Sequence, residues 1–470
     1  MSSSGPSSDA DTGQHEPPPP RSPSLRLETR TLLAIATPLA MAYLADFAMA
    51  LTTKAIVGRL GYRELAGIGL ASDIASNVLI VLVGFLSVVG VLVAQAEGGD
   101  KKAAAGVAAR QGFIIATVLG LPAVALVWHL DVVLSSTGQD PELIALMGPF
   151  LEPRAMAMLP MLWFFVLRTF AASLARTGAI MAITIVAVGV NYVLCLGLVE
   201  GAFGLPKLGV AGAGWSRLCA AVFMLVALLA HTYFTPAYRG YGLYRGRLTF
   251  EPAVCREIFW LGIPVAGIVM LESGLFAAVS ILSGVLGPIP LATYQVMIAW
   301  IGLAFMTAHG LAEAGMVRVA HAIGSGSVAA ARRAGILTIA IGVAWLVALT
   351  AIPLNFPNML VRVFLDPQDP GYSDVLTLTT RLLVLAAFFQ VFDGLQVIAS
   401  LALRGLKDTV VPLWLAALGY WVLGVGGGWL LAFPLDQGAD GLWWGLALGL
   451  TVTGSMLAIR FLMLTRPPRN

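Results

Sequence analysis

Twelve long apolar runs, separated by short polar links, occupy most of this 470-residue chain and leave it few ways to fold. They lie near 32–57, 65–94, 104–130, 154–175, 178–200, 209–235, 256–282, 290–320, 330–353, 376–403, 409–432 and 441–464. About 20 apolar residues suffice for a helix to cross the hydrocarbon core of a bilayer. Backbone polar groups find no water in that core, so only helices and closed barrels span it. Barrel strands alternate in polarity over roughly 10 residues, and these unbroken runs do not. Charge is correspondingly scarce: 28 Lys and Arg with 25 Asp and Glu make up 11% of the chain, against about 25% in soluble domains. The expected fold is an all-α integral membrane protein with 12 transmembrane helices, and an ordinary soluble enzyme is excluded.

Residues 1–30 mix Ser, Pro, Gly and acids. They cannot bury enough apolar area to offset the entropy of ordering, so a disordered cytoplasmic tail is expected, with Pro17 to Pro20 as spacer. No short apolar core follows a basic start, which argues against a cleaved signal peptide. A basic link, Arg239 to Arg247, separates two sets of six runs. This predicts a first lobe over 31–235, a cytoplasmic linker over 236–255, a second lobe over 256–464 and a cytoplasmic tail over 465–470. Of the 28 cations, 20 fall on the termini and alternate loops, Arg168, Arg176, Arg404 and Lys407 among them, while the opposite loops carry acids such as Asp140, Asp366 and Asp440. The positive-inside rule then places both termini in the cytoplasm and the chain in the cytoplasmic, or inner, membrane. Cys195, Cys219 and Cys255 lie in or beside apolar segments without a CxxC spacing and read as small hydrophobes.

Sliding the chain along itself by 226 residues aligns ATPLAMAYLAD from Ala36 with GIPVAGIVMLE from Gly262, and VLVAQAEGGD from Val91 with VRVAHAIGSG. Six spans per half make both halves enter the membrane in the same direction. Such parallel repeats are related by an axis along the membrane normal and frame a central cavity. The same offset places Asp46 on Glu272, each eight residues after a proline, Pro38 or Pro264. Asp393 lies in the middle of the tenth run. Ionisable residues inside a membrane are costly and mark ion or substrate pathways by default; a buried hydrogen-bonding acid is the alternative for each.

The segments PVAGIVMLESGLFAAVSILSGVLGPIPLATYQV (264–296) and FFQVFDGLQVIASLALRGLKDTVVP (388–412) resemble the multidrug and toxic compound extrusion (MATE) transporters, in particular the NorM-type branch. The resemblance extends over nearly the whole chain after residue 30, including LGVAGAGWS from Leu208. It implies two six-helix lobes in a V, a cavity open to one side at a time, and export of organic, often cationic compounds against inward Na⁺ or H⁺. It also implies that Glu272 and Asp393 are the cation-binding acids of the second lobe. The first lobe departs from the family pattern, with Thr53 and Lys54 where an aspartate followed by Thr is usual. Asp46, seven residues earlier on the same helix face, is a candidate to replace that acid two turns deeper. Cys195 stands where other branches carry an acid four residues after Asn191, so coupling through the second lobe is expected.

Around the second-lobe acids the sequence supplies Phe276, Tyr294, Gln295, Trp300, Phe305, Phe388, Phe389 and Gln390. Rings can hold a lipophilic cation and Gln can offer oxygen to Na⁺, although packing or lipid contact accounts equally for an aromatic on a membrane helix. Lys54 and Asp73 at comparable depth predict a structural ion pair, with substrate contact and snorkelling as alternatives. His309 and Glu313, four residues apart on one helix face, suggest either a proton relay or a packing pair. Pro38 and Pro264 are hinge candidates. Trp443 and Trp444 read as an interfacial belt.

The expected function is secondary active multidrug efflux by antiport. The protein would work as a monomer, with no cofactor, no nucleic-acid partner and no metal beyond a transported Na⁺. The alternatives are a dedicated exporter of one metabolite or toxin, a channel, and a lipid or glycan flippase; the last usually has a basic cavity, whereas acids without an Arg cluster are expected here. HExxH, GxSxG and Walker A motifs are absent, which leaves an ion gradient as the energy source.

Overall fold

A computed structural model describes residues 25–136, 141–244 and 250–466. The Pro17 to Pro20 spacer, Asp140, Arg245, Arg247 and the last four residues lie outside the described residues. Among the described residues, twelve helices are long and apolar enough to cross a membrane. They are α1 (Leu25–Gly58), α2 (Tyr62–Gly98), α3 (Lys102–Trp128), α4 (Pro141–Ser173), α5 (Gly178–Glu200) and α6 (Val210–Phe234) in the first half. The second half holds α7 (Pro252–Leu286), α8 (Pro288–Gly324), α9 (Val328–Asn355), α10 (Tyr372–Gly405), α11 (Val410–Ala432) and α12 (Gly438–Leu464).

Several boundaries differ from the sequence reading. Helix α1 begins at Leu25, inside the segment expected to be disordered. Glu28 is buried and accepts two hydrogen bonds from Arg318 of α8, at 2.8 and 2.7 Å, which ties down the first turn. Helix α4 begins at Pro141 rather than near 154 and is interrupted at Ala157. Pro149, Pro153 and Arg154 break up its apolar run, although Arg154 is only 4% exposed. Helix α7 starts at Pro252, within the expected linker, because proline is pre-organised for a first helical position. Trp443 is buried whereas Trp444 is exposed; adjacent helical residues face different ways, so only Trp444 meets the surface.

The repeat is expressed in the architecture. Helices α2 and α3 start at Tyr62 and Lys102, and α8 and α9 start 226 residues later at Pro288 and Val328. Helix α1 packs on α8, α7 on α2, and α2 on α8, so the halves meet through exchanged equivalents. At the end nearest the linker, a Cβ on Gly98 would lie 2.1 Å from the His321 carbonyl oxygen, and one on Gly324 would lie 2.0 Å from that of Gln95. Gln95 and His321 are again 226 apart. The Gln95 amide donates to the Gly405 carbonyl at 3.0 Å, and His321 Nε2 lies 2.6 Å from the Ser173 carbonyl oxygen. Small residues let membrane helices approach backbone to backbone, and here they build a two-fold clasp that closes one end of the interface.

Helices α1 and α7 run through Pro38 and Pro264 without a break. The Ala34 carbonyl that Pro38 cannot engage lies 3.5 Å from the Thr177 hydroxyl, which donates to it, as expected where lipid supplies no partner. Helix α11 contains a π-helical stretch, Ala417–Gly426.

Valine at Gly98 or Gly324 would press on a backbone carbonyl. Each variant is expected to lose about 1–3 kcal/mol of stability, read as a lower thermal midpoint, and the double variant less than the sum because both act on one clasp. Valine at Gly69, which has nothing within 4 Å, is the neutral control.

Candidate cation and substrate site

A cleft of about 100 Å³ lies between the halves, lined by Tyr43, Ser87, Glu272, His309, Glu313 and Arg404 with Gln396 and Ser400. Helices α1, α2 and α4 supply one wall and α7, α8 and α10 the other. Three features of its walls decide its chemistry.

The first is an ion pair across the interface. Arg168 of α4 donates to Glu313 of α8 at 3.0 Å, and the Tyr43 hydroxyl of α1 donates to the same oxygen at 2.7 Å. The guanidinium also lies over the Tyr43 ring, 4.2 Å from its centroid. Arg168 is therefore a buried residue of a span, not the loop cation expected from charge counting; its partner is 145 residues away. His309 and Glu313 share the cleft but not a hydrogen bond. Glu313 is held by Arg168 and Tyr43, while the His309 ring meets the Tyr43 edge at 4.8 Å.

The second is the environment of the second-half acids. Glu272 is half-buried and lines the cleft. Asp393 is 2% exposed, with Glu272 as its charged neighbour, and its Oδ1 lacks a hydrogen-bond partner. Gln390 Nε2 is likewise buried without a partner, and the Tyr420 hydroxyl and Gln396 Oε1 are buried facing each other outside good hydrogen-bond geometry. Tyr420, on the π-helical stretch of α11, has Glu272 and Asp393 as charged neighbours. A buried oxygen left without a donor costs about 1–3 kcal/mol, more if charged. A group of carboxylate, amide and hydroxyl oxygens suits either a hard cation or a proton. Beside it, the Tyr294 hydroxyl donates to the Phe276 carbonyl at 2.9 Å, and Phe276, Phe389, Trp443 and Tyr294 pack in sequence with ring separations of 5.7 to 6.3 Å. Gln295 is exposed and donates to Ser280 at 3.3 Å, facing away from this group.

The third is a set of arginines, Arg404 of the second half in the cleft wall and Arg154 and Arg217 of the first half outside its lining. Asp46 lies 3.2 Å from Arg217 of α6. Arg154, buried on α4, has Ser76 at 3.4 Å and the Met158 sulfur at 3.7 Å. Arg404 of α10 is buried and donates to Ser87 of α2 at 2.8 Å. Against the expectation of acids without an Arg cluster, Arg404 lines the cleft and Arg168 holds an acid that lines it. Lys54 and Asp73 lie 2.8 Å apart, both well exposed. Asn191 donates to Thr53 at 3.2 Å.

Tyr43, Arg168, Arg217, Gln396, Arg404 and Tyr420 escaped the sequence reading as site residues. Arg168 carried a usable signal, being a cation that enters an apolar run. Tyr420 carried none, because a tyrosine on an apolar helix is indistinguishable from packing until its surroundings are known.

The MatE family profile matches residues 38–196 and 264–430. A protein of Pseudomonas putida named "Probable multidrug resistance protein NorM" is 37% identical over 434 residues, covering 92% of this chain and 94% of that protein. A protein of the same name from Rhizobium meliloti is 35% identical, covering 93% and 94%. Among solved structures, the eukaryotic MATE transporter AtDTX14 superposes with a TM-score of 0.82 at 23% identity, covering 93% and 95% of the two chains. A multidrug resistance MATE family transporter of the MOP superfamily, in an outward-facing conformation, gives 0.84 at 18% identity, covering 93% and 96%.

Arg168→Met would leave Glu313 buried without its guanidinium. A loss of about 3–5 kcal/mol is expected, with most of it recovered in Arg168→Met/Glu313→Met; chemical denaturation of the purified proteins measures both. Equal losses would show that the pair does not matter as a unit.

Proposed function

The chain belongs to the MATE family of membrane transporters, and we propose that it exports organic, often cationic compounds by antiport, with Na⁺ or H⁺ entering through Glu272 and Asp393. One observation carries this reading: a buried carboxylate oxygen of Asp393 without a partner, grouped with other unpartnered polar atoms and next to a half-buried glutamate in the cleft. Such a group is stabilised when a cation or proton occupies it and disfavoured when it does not. The bound ion shifts the protein between states only so far as it prefers one arrangement of the halves. Filling the site neutralises the acids that attract a cationic substrate, so ion and substrate exclude one another.

Asp46 is assigned a different job. Arg217 already neutralises it, so it serves as a structural partner and not as a second coupling acid. With the linker and both termini in the cytoplasm, the clasp of Gln95, Gly98, His321 and Gly324 closes the cytoplasmic end of the cleft. The exposed Lys54 and Asp73 then lie toward its outer mouth. Export to the outside requires this clasp to part and re-form once per cycle.

A second reading, a dedicated exporter of one compound, is favoured by the presence of Arg404 beside Glu272 in the cleft. A guanidinium and a carboxylate in one space suit a substrate bearing both an acid and an amine.

Glu272→Gln and Asp393→Asn are each expected to abolish ion-driven efflux of a fluorescent organic cation from vesicles while melting like the parent protein. Asp46→Asn combined with Arg217→Gln, which removes that pair together, is expected to retain ion-dependent efflux. Normal ion-driven efflux by either second-half variant would sink the assignment.

A further inference from the structure

On the membrane-facing side of the first half, α3 and α6 both pack on α4 and leave a groove between them. Its volume is about 650 Å³, and its lining includes Arg110, Phe113, Val118, Trp163, Leu225 and Leu229. We infer that this groove binds one anionic phospholipid, with its phosphate on Arg110 and an acyl chain along α3 and α6. On α3, Arg110, Phe113, Thr117 and Val118 follow the spacing of one helical face, and Arg110 to Val118 spans roughly 12 Å. Val118 in the groove and Leu121, Val222 and Val226 elsewhere on α3 and α6 are exposed apolar side chains that a bilayer would cover with lipid.

Arg110 stands at the linker end of the groove. Its Nη1 donates to the Gly242 carbonyl at 2.6 Å, its Nε is buried without a partner, and no carboxylate pairs with it among the described residues. Lys101 and Lys102, which precede Arg110 on the same helix end, and Arg239, just before Gly242, are exposed, against Asp100, which lies 3.9 Å from Lys102, and Glu97, which accepts from the Tyr241 hydroxyl at 2.9 Å. Basic pockets among membrane helices on the cytoplasmic side attract anionic head groups, and this one continues into an apolar channel that a free anion would not use. Because Arg110 also holds Gly242, the bound head group lies against the joint that connects the two halves.

Native mass spectrometry of the full-length protein, offered phosphatidylglycerol and phosphatidylcholine with identical chains, tests this. The parent protein is expected to retain one phosphatidylglycerol with a preference of about fivefold. Arg110→Gln is expected to bring that preference close to one, and Val118→Trp, which fills the groove and leaves the charge, to lose the lipid whatever its head group. Equal retention of both lipids by the parent protein would overturn the proposal. So would undiminished phosphatidylglycerol binding by both variants, or displacement of the lipid by inorganic phosphate, which would mark a bare anion site.

Discussion

A buried arginine of one half and a buried glutamate of the other hold this transporter together where charge is most expensive. Removing two ions from water costs several kcal/mol each; their mutual contact, the Tyr43 hydroxyl as a third partner and the Tyr43 ring under the guanidinium offset it. The contact exists only while the halves are apposed, because Arg168 travels with α4 and Glu313 with α8. Any rocking that separates these helices must hydrate or re-pair both charges. The clasp at Gly98 and Gly324 adds a steric condition to this electrostatic one: two backbones close to within reach of a single methyl. Together they define one stable arrangement of the interface and identify what a second arrangement must replace.

The two halves have repeated architecture but opposite polarity. The inner side of the first half carries Arg154, Arg168 and Arg217 against Asp46, whereas the second carries Glu272, Glu313 and Asp393 against Arg404. A cation entering from water therefore meets competition from resident guanidinium groups on one side and unsatisfied oxygen on the other. This asymmetry supports the proposal that ion coupling lies in the second half; in the first half, which has Thr53 and Lys54 in place of an acid, the remaining acid Asp46 is paired with Arg217.

Most of the fold was legible in the chain because lipid forces backbone satisfaction, so apolar length translates directly into helices. The constant offset of 226 was legible because α2 and α3 recur as α8 and α9 without insertion. What stayed hidden depends on partners distant in the chain. Arg318, 290 residues away, turns Leu25 to Arg30 from a polar tail into helix. Glu313 makes Arg168 a membrane residue, and side-chain direction separates buried Trp443 from exposed Trp444 and turns Gln295 to the exposed surface, next to buried Tyr294. Glu272 and Asp393 stood out as acids in apolar runs; the orphaned oxygens around Asp393 required the packing of α10 on α12 and of α11 on α7 and α12.

Ion release on substrate binding is the most direct measurement of the central claim that substrate and coupling ion exclude one another in the second half. Detergent-solubilised protein in weakly buffered solution, titrated with an organic cation, would report released protons by pH and released ²²Na⁺ by counting. One of the two ions should be displaced from the parent protein and neither from Glu272→Gln/Asp393→Asn. Unchanged release from that double variant would contradict the account.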